Sequence, residues 1–149
     1  MKKTIAENLA EVRRRMERAA RRAGRDPAEI TLVAVTKSVD VKRIKEAFDA
    51  GARTFGENYV QEAQEKIEKL KRKPIKWHFI GHLQKNKAKY AVELFHMIET
   101  VDSLGLAKEL SKRAQKPLDV LIQVNIAKEK TKAGVEIDEV EDLAEAIST

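Results

Sequence analysis

Apolar positions along this chain recur in two alternating registers. Ile5, Leu9, Val12, Met16, Ala19 and Ala23 fall three and four residues apart, the spacing of one helical face. Gly24 closes that helix, and Asp26-Pro27-Ala28-Glu29 supplies a cap, a first-turn proline and a capping-box carboxylate. The next apolar stretch is continuous, Leu32 to Val35, bounded by Thr31 and Thr36 and ending on Lys37. An aliphatic, β-branched run of this kind predicts a strand buried on both faces, as in parallel sheets. Ser38 and Asp40 then offer N-cap oxygens to a helical pattern of Val41, Ile44, Ala47 and Phe48, which Ala50-Gly51 ends.

The same grammar repeats downstream. Arg53 to Gly56 reads as a short strand with Glu57 and Asn58 at its C-terminal end. Tyr59 to Lys73 reads as a helix with Val60, Ala63, Ile67 and Leu70 facing inward. Ile75 to Ile80 is a strand, Gly81-His82-Leu83-Gln84 its exit loop, and Asn86 to Glu93 the next helix. Phe95 to Ile98 (strand) and Leu104 to Arg113 (helix) follow. After Pro117 comes a second near-continuous apolar strand, Leu118 to Ile126. A polar loop from Lys128 to Gly134 leads into a last helix, Asp138 to Ile147. This alternation predicts right-handed βαβ units and a parallel sheet, about five units with an extra helix in front, in a single α/β domain over residues 1–149. An open doubly wound sheet could be complete at this length, whereas a closed (β/α)8 barrel needs eight units and about 250 residues. Gly51, Gly56 and Gly81 lie too far apart for a dinucleotide fingerprint.

Composition narrows the classes. With 42% hydrophobic and 36% charged residues the chain reads as globular rather than disordered. The absence of cysteine excludes disulfides, thiolate catalysis and Cys-based zinc sites. No apolar span reaches membrane length, so the cytoplasm is the expected location. A formal charge of +6 suits nucleic acid or a small anionic ligand. Arg13, Arg14, Arg15, Arg18, Arg21 and Arg22 crowd one side of the first helix, where a solvated face is the commoner meaning and an anion patch the sharper one.

If the strands are parallel neighbours, Lys37, Asn58, His82 and Lys132 gather at one rim, the end of the sheet where α/β folds bind ligands. An amine held near apolar walls has its cationic form disfavoured, which makes Lys37 a candidate Schiff-base nucleophile. The bland reading is a lysine that snorkels out at a strand end. Such a rim suits an aldehyde cofactor bearing a phosphate: Lys37 forms the imine, Asn58 hydrogen-bonds the ring hydroxyl, and nearby cations favour the anion. His78 and His82 have the i, i+4 spacing of a metal pair, but that geometry requires a helix and this segment reads as strand and loop, so no metal is expected. His96 is read as structural, and Lys85, Lys87 and Lys89 beside Tyr90 as a solvated helix face rather than a phosphate contact. Glu57 is a candidate general base, or a carboxylate placed at a helix N-terminus for structural reasons.

The segments LVAVTKSV around Lys37, FGENYVQEAQEK from Phe55, WHFIGHLQKNK from Trp77, IETVDS from Ile98 and VLIQVNIAKEKTKAGV from Val120 carry a resemblance. In their order, they resemble the pyridoxal phosphate (PLP) homeostasis proteins, the YggS/PROSC-like family. The resemblance implies a TIM-type barrel like the N-terminal domain of alanine racemase, here truncated after about five units. It also implies PLP bound as a Schiff base on Lys37, Asn58 near the pyridine ring, and His82 and Lys132 at family motif positions. Such proteins look like carriers rather than catalysts: the racemases they resemble add a second domain supplying an opposing acid/base, for which this chain has no room. A role in buffering PLP and delivering it to PLP-dependent apo-enzymes follows. Family members continue through further barrel units, and barrel phosphate sites commonly come from the loops after strands seven and eight. The chain is therefore read as an N-terminal portion that lacks the phosphate-gripping segment. Its first and fifth strands would expose apolar edges, so self-association is expected. Two other readings compete: a PLP-dependent racemase or decarboxylase relative with residual activity, and a basic module binding nucleic acid through the first helix.

Overall fold

The computed structural model describes residues 3–148. Its first helix, α1 (Ile5–Arg22), begins at a reciprocal cap: Thr4 Oγ1 accepts the Glu7 N–H, and the Glu7 carboxylate accepts the Thr4 N–H at 2.7 Å. Strands and helices then alternate as β1 (Val33–Val35), α2 (Val41–Asp49), β2 (Thr54–Glu57), α3 (Val60–Leu70), β3 (Lys76–Phe79), α4 (Ala88–Leu94), β4 (Met97–Val101), α5 (Leu104–Arg113), β5 (Asp119–Ile122) and α6 (Val140–Ser148). Short 3-10 turns at Lys85–Lys87 and Ile137–Glu139 lead into α4 and α6, so the regular part of each helix starts later than its apolar pattern predicts.

All four strand pairings are parallel, and the sheet order is β1-β2-β3-β4-β5. That order decides between the two architectures. A doubly wound sheet reverses direction at a switch point and carries helices on both faces. Here every strand pairs with its successor, and each helix from α1 to α6 packs beside the next. With right-handed crossovers this winds all the helices onto one face, as in an arc of a (β/α)8 barrel.

The core fills the layer between that face and the helices. Phe55, Trp77, Phe79 and Ile98 project into it from the strands, and Ile44, Ala63 and Leu110 meet them from the helices. Phe55 and Trp77 sit 5.7 Å apart between centroids, and Phe79 meets Phe95 edge-on at 5.2 Å.

Two expectations about burial need correcting. β1 and β5 are not covered on both faces: Val35 is 53% exposed and Leu121 48% exposed. Both strands are sheet edges, and no described element covers the face turned away from the helices. The apolar stripe of α1 is also narrower than its periodicity suggests. Leu9 is buried with Ala20, whereas Val12 is 40% exposed and Ala19 and Ala23 face solvent, because α1 packs mainly against α2 and the 3-10 turn at Pro27–Glu29 at the margin of the fold. Conversely, Arg13 is not simply a solvated charge. Its guanidinium donates to the carbonyls of Ala50 (3.3 Å) and Gly51 (2.7 Å), satisfying the C-terminal end of α2.

His96 lies in the turn between α4 and β4. Its Nδ1 accepts the Trp77 N–H at 3.1 Å, while its own N–H donates to the Trp77 carbonyl. Burial of that ring edge against β3, with Lys116, His78 and Lys76 nearby, holds the pKa below the ordinary 6.5. The unfolded chain therefore binds the extra proton first, so His96 takes nothing from stability above the ordinary value and subtracts from it as pH falls below. Denaturant melts of the native chain and His96→Asn across about pH 5 to 8 should show the variant gaining relative stability toward the acid end. Phe79→Ala should cost about 3–5 kcal/mol at all of these pH values in the same melts.

Candidate functional site

The pairing of β1 with β2 builds the site. Val33, Ala34 and Val35 lie opposite Thr54, Phe55 and Gly56, and the Thr36 N–H continues the ladder to the Gly56 carbonyl at 3.0 Å. Continuing that register sets Lys37 level with Asn58 at the C-terminal end of the sheet. Side chains alternate along a strand. Ala34 and Phe55 pack toward the helices; β1 ends at Val35 and β2 at Glu57, and Lys37 and Asn58 follow where the two strands leave the sheet.

Lys37 is exposed rather than walled in by apolar groups, and its amine has no hydrogen-bond or ion-pair partner among the described residues. Asn58 is half-buried, and its Oδ1 is buried with no donor. The exit loop of β3 closes over it: the Ile80 N–H donates to the Glu57 carbonyl at 2.9 Å, and Gly81 lies against the Asn58 backbone. Thr100 in β4 pins that loop from the other side, donating to the Gly81 carbonyl at 2.5 Å. His82, the next residue, is exposed on the same rim.

Lys132 stands further along the same end of the sheet. It lies in the loop after β5, at the opposite edge of the sheet from Lys37, and its ammonium contacts Glu129 at 2.7 Å. That loop is organised by Asn125, whose side chain bonds both the N–H and the carbonyl of Glu129, and by Gln123, which donates to the Ala133 carbonyl. The rim thus brings together Lys37, Asn58 and His82, and leaves Lys132 with three strands between it and β1.

Glu57 has neither of the roles its position suggests. It belongs to β2, is fully buried, and points into the helix layer, where Oε1 accepts from Thr36 Oγ1 (2.6 Å) and Lys66 Nζ (2.8 Å). It faces away from Lys37. Lys66 on α3 is itself buried, and also donates to the Thr36 carbonyl and to Glu62, each at 2.6 Å. Glu62 accepts the Ser38 N–H at 2.6 Å as well, and the Lys66 ammonium beside it holds its carboxyl below the usual range. A lysine three residues after the inward Ala63 shares the buried face of α3, but a Glu-Lys pair at i, i+4 ordinarily reads as solvent-facing. Beneath the rim, His78 of β3 contacts Glu99 of β4 through Nδ1 at 2.6 Å, on the face turned away from the helices.

Residues 7–149 match the family described as "Alanine racemase, N-terminal domain". The chain belongs to that family. The pyridoxal phosphate homeostasis protein of Escherichia coli is 46% identical to it over 150 residues, which cover 97% of this chain and 64% of that protein. A solved structure of an unknown protein from Bifidobacterium adolescentis superposes with a TM-score of 0.91 at 34% identity, covering 97% of this chain and 64% of that one. PipY of Synechococcus elongatus, solved with PLP bound, superposes with a TM-score of 0.79 at 35% identity, covering 96% of this chain and 65% of PipY. The chain spans about 64% of the length of such curated relatives. The resemblance read in the five motifs is to the same group of proteins, and the fold is the α/β arc it implied.

Two glycines at the site differ in what they tolerate. A Cβ at Gly81 would lie 2.8 Å from Asn58 Cα and closer still to its carbonyl oxygen, backbone that cannot yield. At Gly56 the nearest atom is Ile80 Cδ1 at 2.8 Å, the end of a mobile side chain. Gly81→Ala should therefore destabilise the chain by about 1–3 kcal/mol in denaturant melts, clearly more than Gly56→Ala.

Proposed function

We propose that this chain is the cofactor-holding part of a PLP homeostasis protein, with PLP carried on Lys37 and not turned over catalytically. One observation carries the reading. An amine unpaired among the described residues and a buried amide oxygen that has no donor follow the C-terminal ends of adjacent parallel strands. Those groups fit the cofactor. Bound PLP supplies an aldehyde carbon that condenses with a primary amine with loss of water, and a ring hydroxyl that can donate a hydrogen bond. Lys37 provides the amine and Asn58 Oδ1 the acceptor. His82, one residue beyond the loop that covers Asn58, is the further polar contact at this rim. Lys132, at the far edge and already paired, contributes through the positive field that favours an anionic ligand rather than by touching the ring.

The names of the relatives support a carrier role in buffering PLP and handing it to apo-enzymes that need it. A cytoplasmic setting goes with that role; no described helix is long and apolar enough to cross a membrane. The nucleic-acid reading loses ground, because Arg13 of the arginine run is engaged with the end of α2. The exposed edges at β1 and β5, with Val35 and Leu121 open to solvent, favour self-association.

Titrating the chain with PLP should produce an imine absorption band that Lys37→Ala abolishes and Asn58→Ala weakens about tenfold in affinity. A band that survives Lys37→Ala overturns the assignment, and turnover of alanine or serine enantiomers by the loaded chain would make it an enzyme instead. Light scattering on a sizing column should show oligomers at high concentration; a clean monomer would remove the edge-pairing part of the proposal.

A further inference from the structure

The buried Lys66 ammonium lies outside the rim, yet everything it touches leads there. Its side chain is 7% exposed, and each of its three N–H donors has an acceptor: Thr36 O at 2.6 Å, Glu57 Oε1 at 2.8 Å and Glu62 Oε1 at 2.6 Å. Thr36 is the residue before Lys37. Glu57 is the residue before Asn58. Glu62 in turn accepts the N–H of Ser38, the residue after Lys37, at 2.6 Å.

We infer that Lys66, acting with Glu57 and Glu62, is a positioning residue that fixes the backbone on both sides of Lys37 and ties it to the residue before Asn58. The inference rests on the reading of Lys37 as the amine that holds the cofactor. Ser38 shows why such a clamp is needed. Its φ is 58°, in the left-handed region that a residue other than glycine occupies at a cost and keeps only when its surroundings over-determine it. That turn redirects the chain directly after Lys37, ahead of the cap of α2 at Asp40. The Glu62 carboxylate supplies the outside hold on the turn, and Lys66 holds the carboxylate. On the other side, the Thr36 hydroxyl donates to the same Glu57 oxygen that Lys66 contacts, so β1 and β2 are joined by side chains where their ladder ends. A staple that merely joined α3 to the sheet would be satisfied by any strand carbonyl. This one selects the three residues that flank Lys37 and Asn58.

Glu62 is the place to test this, because removing the ammonium would strand the buried Glu57 carboxylate and endanger the fold. The Glu62 side chain is 30% exposed, so its variants should fold. In Glu62→Ala, amide exchange at Ser38 should accelerate about tenfold and PLP affinity at Lys37 should fall by a similar factor. The melting temperature should stay within about 4 °C of the native value. Glu62→Gln keeps an oxygen for the Ser38 N–H and should recover most of both properties. A merely structural role predicts the reverse: a lower melting temperature with unchanged PLP affinity in the folded protein. Unchanged Ser38 exchange in Glu62→Ala overturns the inference, as does faster exchange with unaltered PLP affinity. If the native chain shows no Lys37-dependent absorption band, it is the proposed function that fails, and Ser38 exchange in the cofactor-free variants then decides the clamp by itself.

Discussion

The register of β1 against β2 is the constraint on which the rest depends. Because side chains alternate along a strand, a slip of one residue would pull Ala34 out of the helix layer and take Thr36 away from Glu57, moving Lys37 out of level with Asn58. Two kinds of interaction hold the register. Ala34 and Phe55 pack in the core on the helix side, and Thr36 and Glu57, two residues further along, meet each other and Lys66 on that same side. The apolar pair and the polar cluster both require the same alternation. The amine of Lys37 and the amide of Asn58 follow directly beyond that cluster, at the end of the sheet.

The two faces of this sheet follow different rules. Toward the helices, the layer is close-packed and its polar groups are paired, apart from one oxygen of Glu57. A buried ammonium is tolerable there because its donors are all matched, since charge taken out of water is retained only where partners replace the lost hydration. On the other face, Val35 and Leu121 remain open, and just past the end of β2 the amide oxygen of Asn58 has no donor. The Lys37 amine likewise lacks a partner among the described residues. Of the two buried side-chain oxygens without a donor among the described residues, one thus stays in the helix layer on Glu57 and the other, on Asn58, lies beside the end of the sheet where a ligand would sit.

Much of this was legible beforehand. Each apolar run became a strand or helix within a few residues, since burial of a patterned face is a local property written into spacing. Placing Lys37 and Asn58 at one end of the sheet needed only the assumption that successive strands pair in parallel. The same assumption puts the loop carrying Lys132 at that end too, but does not say how far along it: β5 is the far edge of the sheet from β1, which only the strand order shows. Glu57 and Lys66 were opaque for a related reason. A carboxylate at a strand end and a lysine on a charged helix look alike in sequence whether they face solvent or each other.

The chain's own order of residues determined its α/β class, its elements and, through five linked motifs, its family. These depend on local periodicity and residue identity, which sequence displays directly. Only the tertiary structure decided that the strands run in unbroken order, that the edge strands stay open on one side, and that Lys66 reaches back to both flanks of Lys37. Each depends on which segments, distant along the chain, become neighbours, and many pairings are compatible with the same local pattern until packing selects one.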